Sequence, residues 1–158
     1  MSKYSYDKKE NTYLTPYVLI QRALQLLSLE KGNVLTQDKF DLDVCCSNEN
    51  VPALNYFKYP EHDGLKEKWM KYNYCNPPFD QCKKWVQKAY GESLNGNTTI
   101  MLIPARTETA YFHEYILFNE NVKVHWLRKG YKFINPETGK EMGVFKNALC
   151  FVVFRGVE

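Results

Sequence analysis

No run of apolar residues in this chain is long enough to cross a membrane, and the polar start, Met1 to Glu10, has no apolar core of the kind that marks a secretory signal. No C-x-x-C spacing occurs among its five cysteines, Cys45, Cys46, Cys75, Cys82 and Cys150, and its three histidines, His62, His113 and His125, are scattered. Without ligand spacing no zinc constellation can be drawn, so no metal is expected. Reduced thiols in a cytosol are the simplest reading of an odd cysteine count. A large excess of either charge is missing as well. A net charge of +3 announces no broad surface for a polyanion and leaves room for a local basic patch. The chain has no internal repeat and no low-complexity linker.

What is present is a chain of 158 residues with 44% hydrophobic content, enough for one domain spanning 1–158 around a core of its own. Residues 1–13 read as a loose N-terminal arm. Thr15-Pro16 opens a helix, with Thr15 as N-cap and Pro16 at the first helical position. Ile20, Ala23, Leu24 and Leu27 give it one apolar face, and Lys31-Gly32-Asn33 ends it. Phe40 to Cys45 alternates apolar and acidic residues and reads as a strand with its carboxylates near one end. Residues 46–68 carry Asn, Pro, Gly and charge and are assigned to loop with at most one helical turn. Tyr72 to Cys75 is a second strand and Gln81 to Tyr90 a helix, followed by a loop over 91–97. Thr98 to Ile103, continuously apolar after its start and closed by Pro104, reads as a buried parallel strand. A helix from Thr107 to about Leu117 and strands at Val122–Leu127, Tyr131–Ile134 and Ala148–Phe154 complete the chain. The histidines and the tryptophans Trp69, Trp85 and Trp126 are assigned to structure rather than chemistry. Alternating strands and helices that end in a β-rich unit predict an open α/β sheet, and ligands of such sheets bind beyond the carboxyl ends of the strands. Asp43, Asn76 and Arg106 fall at or just past three such ends.

Asn76-Pro77-Pro78-Phe79 is the most informative stretch. It leaves a strand and enters a helix, and its chemistry suits methylation of an amine lying in the plane of a π-system. Such a nitrogen is a poor nucleophile because its lone pair is delocalised. Two acceptors placed on its two N–H groups pull it toward tetrahedral geometry and localise that pair. The Asn76 side-chain oxygen and the Pro77 carbonyl are candidates for these acceptors. Neither Pro77 nor Pro78 has an N–H, so the loop is stiff and presents carbonyls without competing donors. Phe79 supplies a flat face on which a base can stack. The alternative is a plain turn, since Asn-Pro and Pro-Pro are common punctuation.

Together with Leu14-Thr15-Pro16, Phe40 to Cys45, Asp63-Gly64-Leu65 with Trp69, Leu102 to Thr107 with Phe112-His113, and Arg128 to Phe133, this loop forms an ordered set over most of the chain. The set resembles the phage-type DNA N6-adenine methyltransferases, a compact subgroup of the S-adenosyl-L-methionine-dependent amino-methyltransferases. The resemblance implies a reduced Rossmann-like methyltransferase sheet flanked by helices, with a β-rich C-terminal unit. It implies that Asn76 and the Pro77 carbonyl hold the target N6 while Phe79 stacks the base. S-adenosyl-L-methionine is the implied cofactor, bordered by Thr15 and Pro16 and approached by the Asp43 segment. Asp43 bonds the cofactor's ammonium or its ribose hydroxyls, with Asp41 a second candidate; alternatively both aspartates cap a strand end. The implied partner is DNA, as a flipped adenine or a single strand, in the cytoplasm of a bacterial host if the chain is phage-encoded. Arg106 meets a phosphate or base edge, or else pairs with Glu108. Arg128, Lys129 and Lys132 are candidates for a backbone-binding patch, and a homodimer is one way to add contacts.

The chain departs from the wider methyltransferase pattern in three ways. Cys45-Cys46-Ser47-Asn48 replaces the usual Gly-rich turn after the first strand. The distance from Val44 to Asn76 is short, so the acidic ribose clamp is missing or replaced, with Asp63 a candidate. Phe79 replaces the commoner tyrosine. Two other readings stay open: a methyltransferase acting on a protein amide such as glutamine or on RNA, and a cofactor-fold module that binds without turnover.

Overall fold

The computed structural model describes residues 13–32 and 39–158. The first helix, α1, covers Tyr17–Lys31 and buries Leu19, Ile20, Ala23, Leu26 and Leu27, a spacing that lines one side of a 3.6-residue helix. Gly32, at φ 69°, ends it in the left-handed region, with its N–H on the Leu29 carbonyl at 3.2 Å. The start differs from the sequence expectation. Pro16 is the cap, and its carbonyl accepts from the N–H groups of Leu19 (2.9 Å) and Ile20 (3.1 Å). The Thr15 hydroxyl is turned away from the helix to the phenol of Tyr74 at 2.5 Å, because a buried phenol needs a polar partner. Asn33 and residues 1–12 lie outside the described residues. Tyr13, assigned above to the loose arm, is packed against Phe79 and Phe133.

Six strands form the main sheet: β1 (Phe40–Asp43), β2 (Ala53–Tyr56), β3 (Tyr72–Cys75), β4 (Thr98–Pro104), β5 (Val122–Trp126) and, last in the chain, β8 (Leu149–Phe154). Their order is β2-β1-β3-β4-β8-β5. β2, β1, β3 and β4 pair in parallel, whereas β8 is antiparallel to both β4 and β5. The short strands β6 (Lys132–Ile134) and β7 (Glu141–Val144) form a separate antiparallel hairpin. The expected α/β sheet flanked by helices is present, with corrections. β2 lies in the segment assigned to loop, and β7 extends the turn-rich segment after Ile134. β4 is parallel on one side only. The helix expected from Thr107 to about Leu117 is present from residue 110, with its main part, Phe112–Ile116, π-helical. Its N-terminal part fails to form because the Arg106 carbonyl takes the Thr109 N–H and hydroxyl, while the Thr107 carbonyl accepts from His113 Nε2.

The second helix, α2, covers Cys82–Leu94 and follows a 3-10 turn at Phe79–Gln81. It runs through Gly91, past its expected end at Tyr90, because Glu92 is anchored in the interior. The Glu92 carboxylate accepts from Lys88 Nζ (2.5 Å), Asn97 Nδ2 (2.8 Å) and the Trp69 N–H (3.3 Å). Together these bonds and the Lys88 charge hold the carboxyl below its ordinary range against the opposing effect of burial.

Each face of the sheet is closed by one helix. Ile100 and Leu102 of β4, with Leu149, Phe151 and Val153 of β8, pack in the α1 cluster; Met101 and Ile103, with Cys150, Val152 and Phe154, pack in the α2 cluster. This period-two division explains why both strands read as continuous apolar runs. Trp126 is an exception to the core assignment: it sits on the edge strand β5, 58% exposed, stacked on Phe112.

The turn at Asp63-Gly64-Leu65 is pressed onto the carboxyl end of β1. A Cβ at Gly64 would lie 2.1 Å from the Val44 carbonyl oxygen and 2.9 Å from the Trp85 ring. The Gly64 carbonyl accepts from Trp69 Nε1 at 2.7 Å. Gly64→Ala is therefore expected to destabilise the fold by about 1–3 kcal/mol or more through overpacking against backbone. Thermal melts should show a loss of about 2–4 °C per kcal/mol in a chain of this size; an unchanged Tm would mean that the turn is free to move off β1.

Candidate active site

The Asn76-Pro77-Pro78-Phe79 loop leaves the carboxyl end of β3 between β1 and β4. Pro77 and Pro78 are buried and Asn76 is half-buried. The Pro78 carbonyl accepts from the Gln81 N–H at 2.9 Å and so starts the turn into α2. Asn76 Nδ2 donates to the Tyr13 carbonyl at 2.8 Å and to Thr15 Oγ1 at 3.2 Å. Asn50 Nδ2 donates to the Thr15 carbonyl at 3.1 Å. The segment before α1 is thus strapped across the end of β3, which brings Thr15, Pro16 and Asn76 together.

Thr15, Asp43, Asn50, Tyr74 and Asn76 are among the residues that line a narrow cleft with about 10 Å³ of free room. Asp43, the last residue of β1, is 3% exposed. Its carboxylate accepts the Cys45 N–H at 3.3 Å, and no lysine or arginine among the described residues forms an ion pair with it. Burial raises its pKa from 3.8 to about 7, only partly offset by that hydrogen bond. Asp41 is elsewhere: its Oδ2 accepts the Tyr72 N–H at 3.0 Å and steadies the start of β3. Asp63 is also outside the cleft, with its Oδ1 on the Leu65 N–H at 3.0 Å within the Gly64 turn. Burial pushes the thiol of Cys75, beneath the loop, well above its ordinary range, and that of Cys82 to about 12. These cysteines are inert packing groups rather than nucleophiles. Among the described residues no group of three or more His, Cys, Asp or Glu can hold a metal ion.

Phe79 belongs to an aromatic cluster. Its ring centroid lies 5.6 Å from Tyr13, 5.7 Å from Phe133 and 5.4 Å from Phe145. Beside the cluster, Tyr13, Phe133, Met142 and Phe145 border a cavity of about 320 Å³. The β6–β7 hairpin that carries Phe133 is tied to the rest of the site twice. Leu14 and Ile134 exchange backbone hydrogen bonds, and Asn48 Nδ2 donates to the Pro136 carbonyl at 2.9 Å. Tyr13, Asn50, Tyr74 and Phe145 had no assigned role in the sequence reading. Phe133 alone had a signal, as part of the Arg128 to Phe133 segment.

Arg106 is exposed, and of its two candidate engagements the structure shows the ion pair, Nε to Glu108 Oε1 at 2.6 Å. Arg128, Lys129 and Lys132 are exposed on the chain entering the hairpin. Residues 128–147 contain five basic and two acidic side chains, so the whole net charge of +3 resides on this segment.

A mixed sheet closed by a helix on each face, with a buried carboxylate after one parallel strand and an Asn-Pro-Pro-Phe loop after its neighbour, is compatible with a methyltransferase-like fold. The chain belongs to the DNA N-6-adenine-methyltransferase (Dam) family, whose sequence model matches residues 29–157. Similar proteins include the DNA N-6-adenine-methyltransferase of Haemophilus phage HP1 (strain HP1c1), 28% identical over 157 residues, which cover 98% of this chain and 84% of the relative. The DNA N-6-adenine-methyltransferase of Escherichia phage T1 is 29% identical over 133 residues, 73% of this chain and 55% of the relative. The chain therefore accounts for little more than half of the T1 protein. No solved structure matches it.

The buried Asp43 carboxyl makes a pH prediction. Its pKa is raised on folding, so its stabilising contribution is fully present below about pH 4 and is lost as pH rises through about 7. Asp43→Asn should therefore raise the Tm of the ligand-free protein at pH 8, by an amount on the order of a few kcal/mol in stability, with the difference shrinking toward pH 4. Melts of both proteins across this range test it. A constant offset at every pH would mean that position 43 does not titrate on unfolding.

Proposed function

We propose that this chain transfers the methyl group of S-adenosyl-L-methionine to N6 of adenine in DNA. Acting as one domain, its sheet would serve as a reduced Rossmann-like methyltransferase core. The observation that carries the reading is the held amide of Asn76, at the carboxyl end of a central parallel strand and beside buried Asp43, in a member of the Dam family.

In this reading the Asn76 Oδ1 and the Pro77 carbonyl accept the two N6 hydrogens and localise the amine lone pair for in-line attack. Phe79 supports one face of the base, and the neighbouring rings of Phe133 and Phe145 extend the apolar wall. Thr15, Pro16 and Asp43 border the cofactor. A buried carboxylate without a paired cation among the described residues suits an ammonium group, which favours that partner over ribose hydroxyls. Asp41, on β1, supports the site by steadying the start of β3 rather than by contact. The cofactor, when bound, supplies an electrophilic methyl group on its sulfonium. The donor set fits it, but the cleft at about 10 Å³ must widen to admit it. An adenine inside a duplex cannot reach a recessed loop of this kind, so the substrate is a flipped base or a single strand. Arg128, Lys129 and Lys132 would bind backbone phosphates, with Arg106 joining once it exchanges Glu108 for a phosphate. A second subunit would be one way to enlarge this surface, and a phage-encoded enzyme would work in the host cytoplasm.

The concentration of positive charge on the hairpin segment favours a nucleic acid over a protein amide as substrate. The narrowness of the cleft favours the alternative of a non-catalytic binding module, and calorimetric titration with S-adenosyl-L-methionine separates the two, since only the enzyme requires binding.

The first test is incubation of the purified protein with labelled cofactor and DNA, RNA or protein, followed by nucleoside and amino-acid analysis. N6-methyladenine in DNA is the expected product; methylated cytosine or glutamine would overturn the assignment. Asn76→Ala should reduce transfer on the order of a hundredfold or more, the effect of removing one well-placed transition-state partner, with cofactor affinity largely intact. Phe79→Tyr should be tolerated, whereas Phe79→Ala should weaken productive base binding by about 1–3 kcal/mol. A Phe79→Ala protein that matches wild type in single-turnover assays would reassign the ring to packing alone.

A further inference from the structure

We propose that Thr15 and Tyr74 are positioning residues that hold the Asn76 amide with Oδ1, rather than Nδ2, toward the target amine. The inference rests on the reading of Asn76 as the acceptor of the substrate amine. A primary amide is nearly symmetric in shape, and a half-turn about its last torsion exchanges a pure acceptor for a donor. In one orientation Asn76 accepts an N–H of the amine; in the other it meets that hydrogen with its own. The loop must therefore specify which edge faces out, and the prolines that stiffen its backbone do not act on this torsion.

The structure supplies the missing constraint. The Tyr13 carbonyl can only accept, so the edge of Asn76 that lies 2.8 Å from it must be Nδ2. The second hydrogen of that Nδ2 goes to Thr15 Oγ1 at 3.2 Å. With both hydrogens engaged, Oδ1 is the free edge, and no donor among the described residues bonds to it. The Thr15 oxygen is itself fixed. It is 1% exposed and shares a proton with the Tyr74 hydroxyl at 2.5 Å, and Tyr74 is likewise 1% exposed. Burial holds the Tyr74 phenol neutral, so the chain Tyr74–Thr15–Asn76 keeps its hydrogens across the pH range of activity. Turning the amide over would set Oδ1 against the Tyr13 carbonyl, acceptor to acceptor, and break the bond from Nδ2 to Thr15. Thr15 thus has a role separate from any contact with cofactor: the Tyr13 carbonyl sets the sense of the amide, and Thr15, held by Tyr74, takes the second Nδ2 hydrogen and keeps Oδ1 toward the substrate.

The experiment compares wild type, Thr15→Val, Thr15→Ser, Tyr74→Phe and Asn76→Ala in single-turnover methylation of an adenine-containing oligonucleotide at saturating cofactor. Cofactor affinity is measured by calorimetry and folding by thermal melts. Thr15→Val keeps the shape and loses the hydroxyl, and should slow transfer about tenfold or more, as expected for one lost hydrogen bond that orients the reacting group. Thr15→Ser should restore the rate, and Tyr74→Phe should fall between. In the Asn76→Ala background Thr15→Val should cause no additional loss, because the group it orients is gone. A Thr15→Val rate equal to wild type, a defect confined to cofactor affinity, or a loss that adds fully to that of Asn76→Ala would overturn the proposal. If Thr15→Val does not fold, Tyr74→Phe carries the same comparison from the far end of the chain. The two readings fail separately. An inactive Asn76→Ala with an unimpaired Thr15→Val removes only the positioning role, whereas an active Asn76→Ala removes both.

Discussion

Parallel pairing of β1, β3 and β4 is the constraint from which the rest of the site follows, because parallel strands end on the same side of a sheet. Their carboxyl ends therefore converge without any long loop having to reach. Parallel sheets in turn need both faces covered, and the chain meets that need with one helix on each side. α1 shields one apolar set of β4 and β8, and α2 shields the other. The two helices also begin at the site. α1 follows Thr15-Pro16 and α2 follows the Asn-Pro-Pro-Phe loop, so the residues that leave the sheet at the cleft are held by the same packing that closes the core.

Some of this was legible in the sequence, for identifiable physical reasons. β4 and β8 are buried on both faces, and their unbroken apolar runs announce that burial. The Asn76 loop was visible because two prolines between strand and helix are informative by themselves. β2 was not visible: Leu54 is 67% exposed and the strand is held by pairing with β1 on one side only, so its residues carry no period. The helix after Arg106 starts later than its sequence suggests because a local turn, with the Thr109 N–H and hydroxyl on the Arg106 carbonyl, takes the place of the expected cap at Thr107. Tyr13 escaped notice because its role at the site is a backbone carbonyl offered to a side chain 63 positions away. Main-chain groups leave no mark in composition or periodicity, and the same holds for the direction of the Thr15 hydroxyl.

The site also carries a cost that the core does not. Among the described residues, Asp43 is buried without a paired cation and Asn76 presents an acceptor edge with no donor. Both would be replaced by apolar groups if stability alone were at stake, and proteins retain such groups where binding or chemistry requires them. The cysteines nearby show the opposite behaviour. Cys75, Cys82 and Cys150 are buried with their thiols pushed away from ionisation, so they fill space and resist oxidation.

The placement of charge has a consequence for motion in solution. Residues 128–147 alone sum to the +3 of the whole chain, so the hairpin segment carries a local excess of positive charge. A strongly anionic surface exerts a torque on a molecule charged in this way once the two come within a Debye length, about 8 Å at physiological ionic strength. The torque turns the hairpin forward before contact, and the hairpin borders the cavity beside Phe79. Rotational alignment, rather than extra attraction, is what this arrangement contributes: a nearly neutral protein loses little time bound in wrong orientations and meets an anionic surface with its hairpin forward.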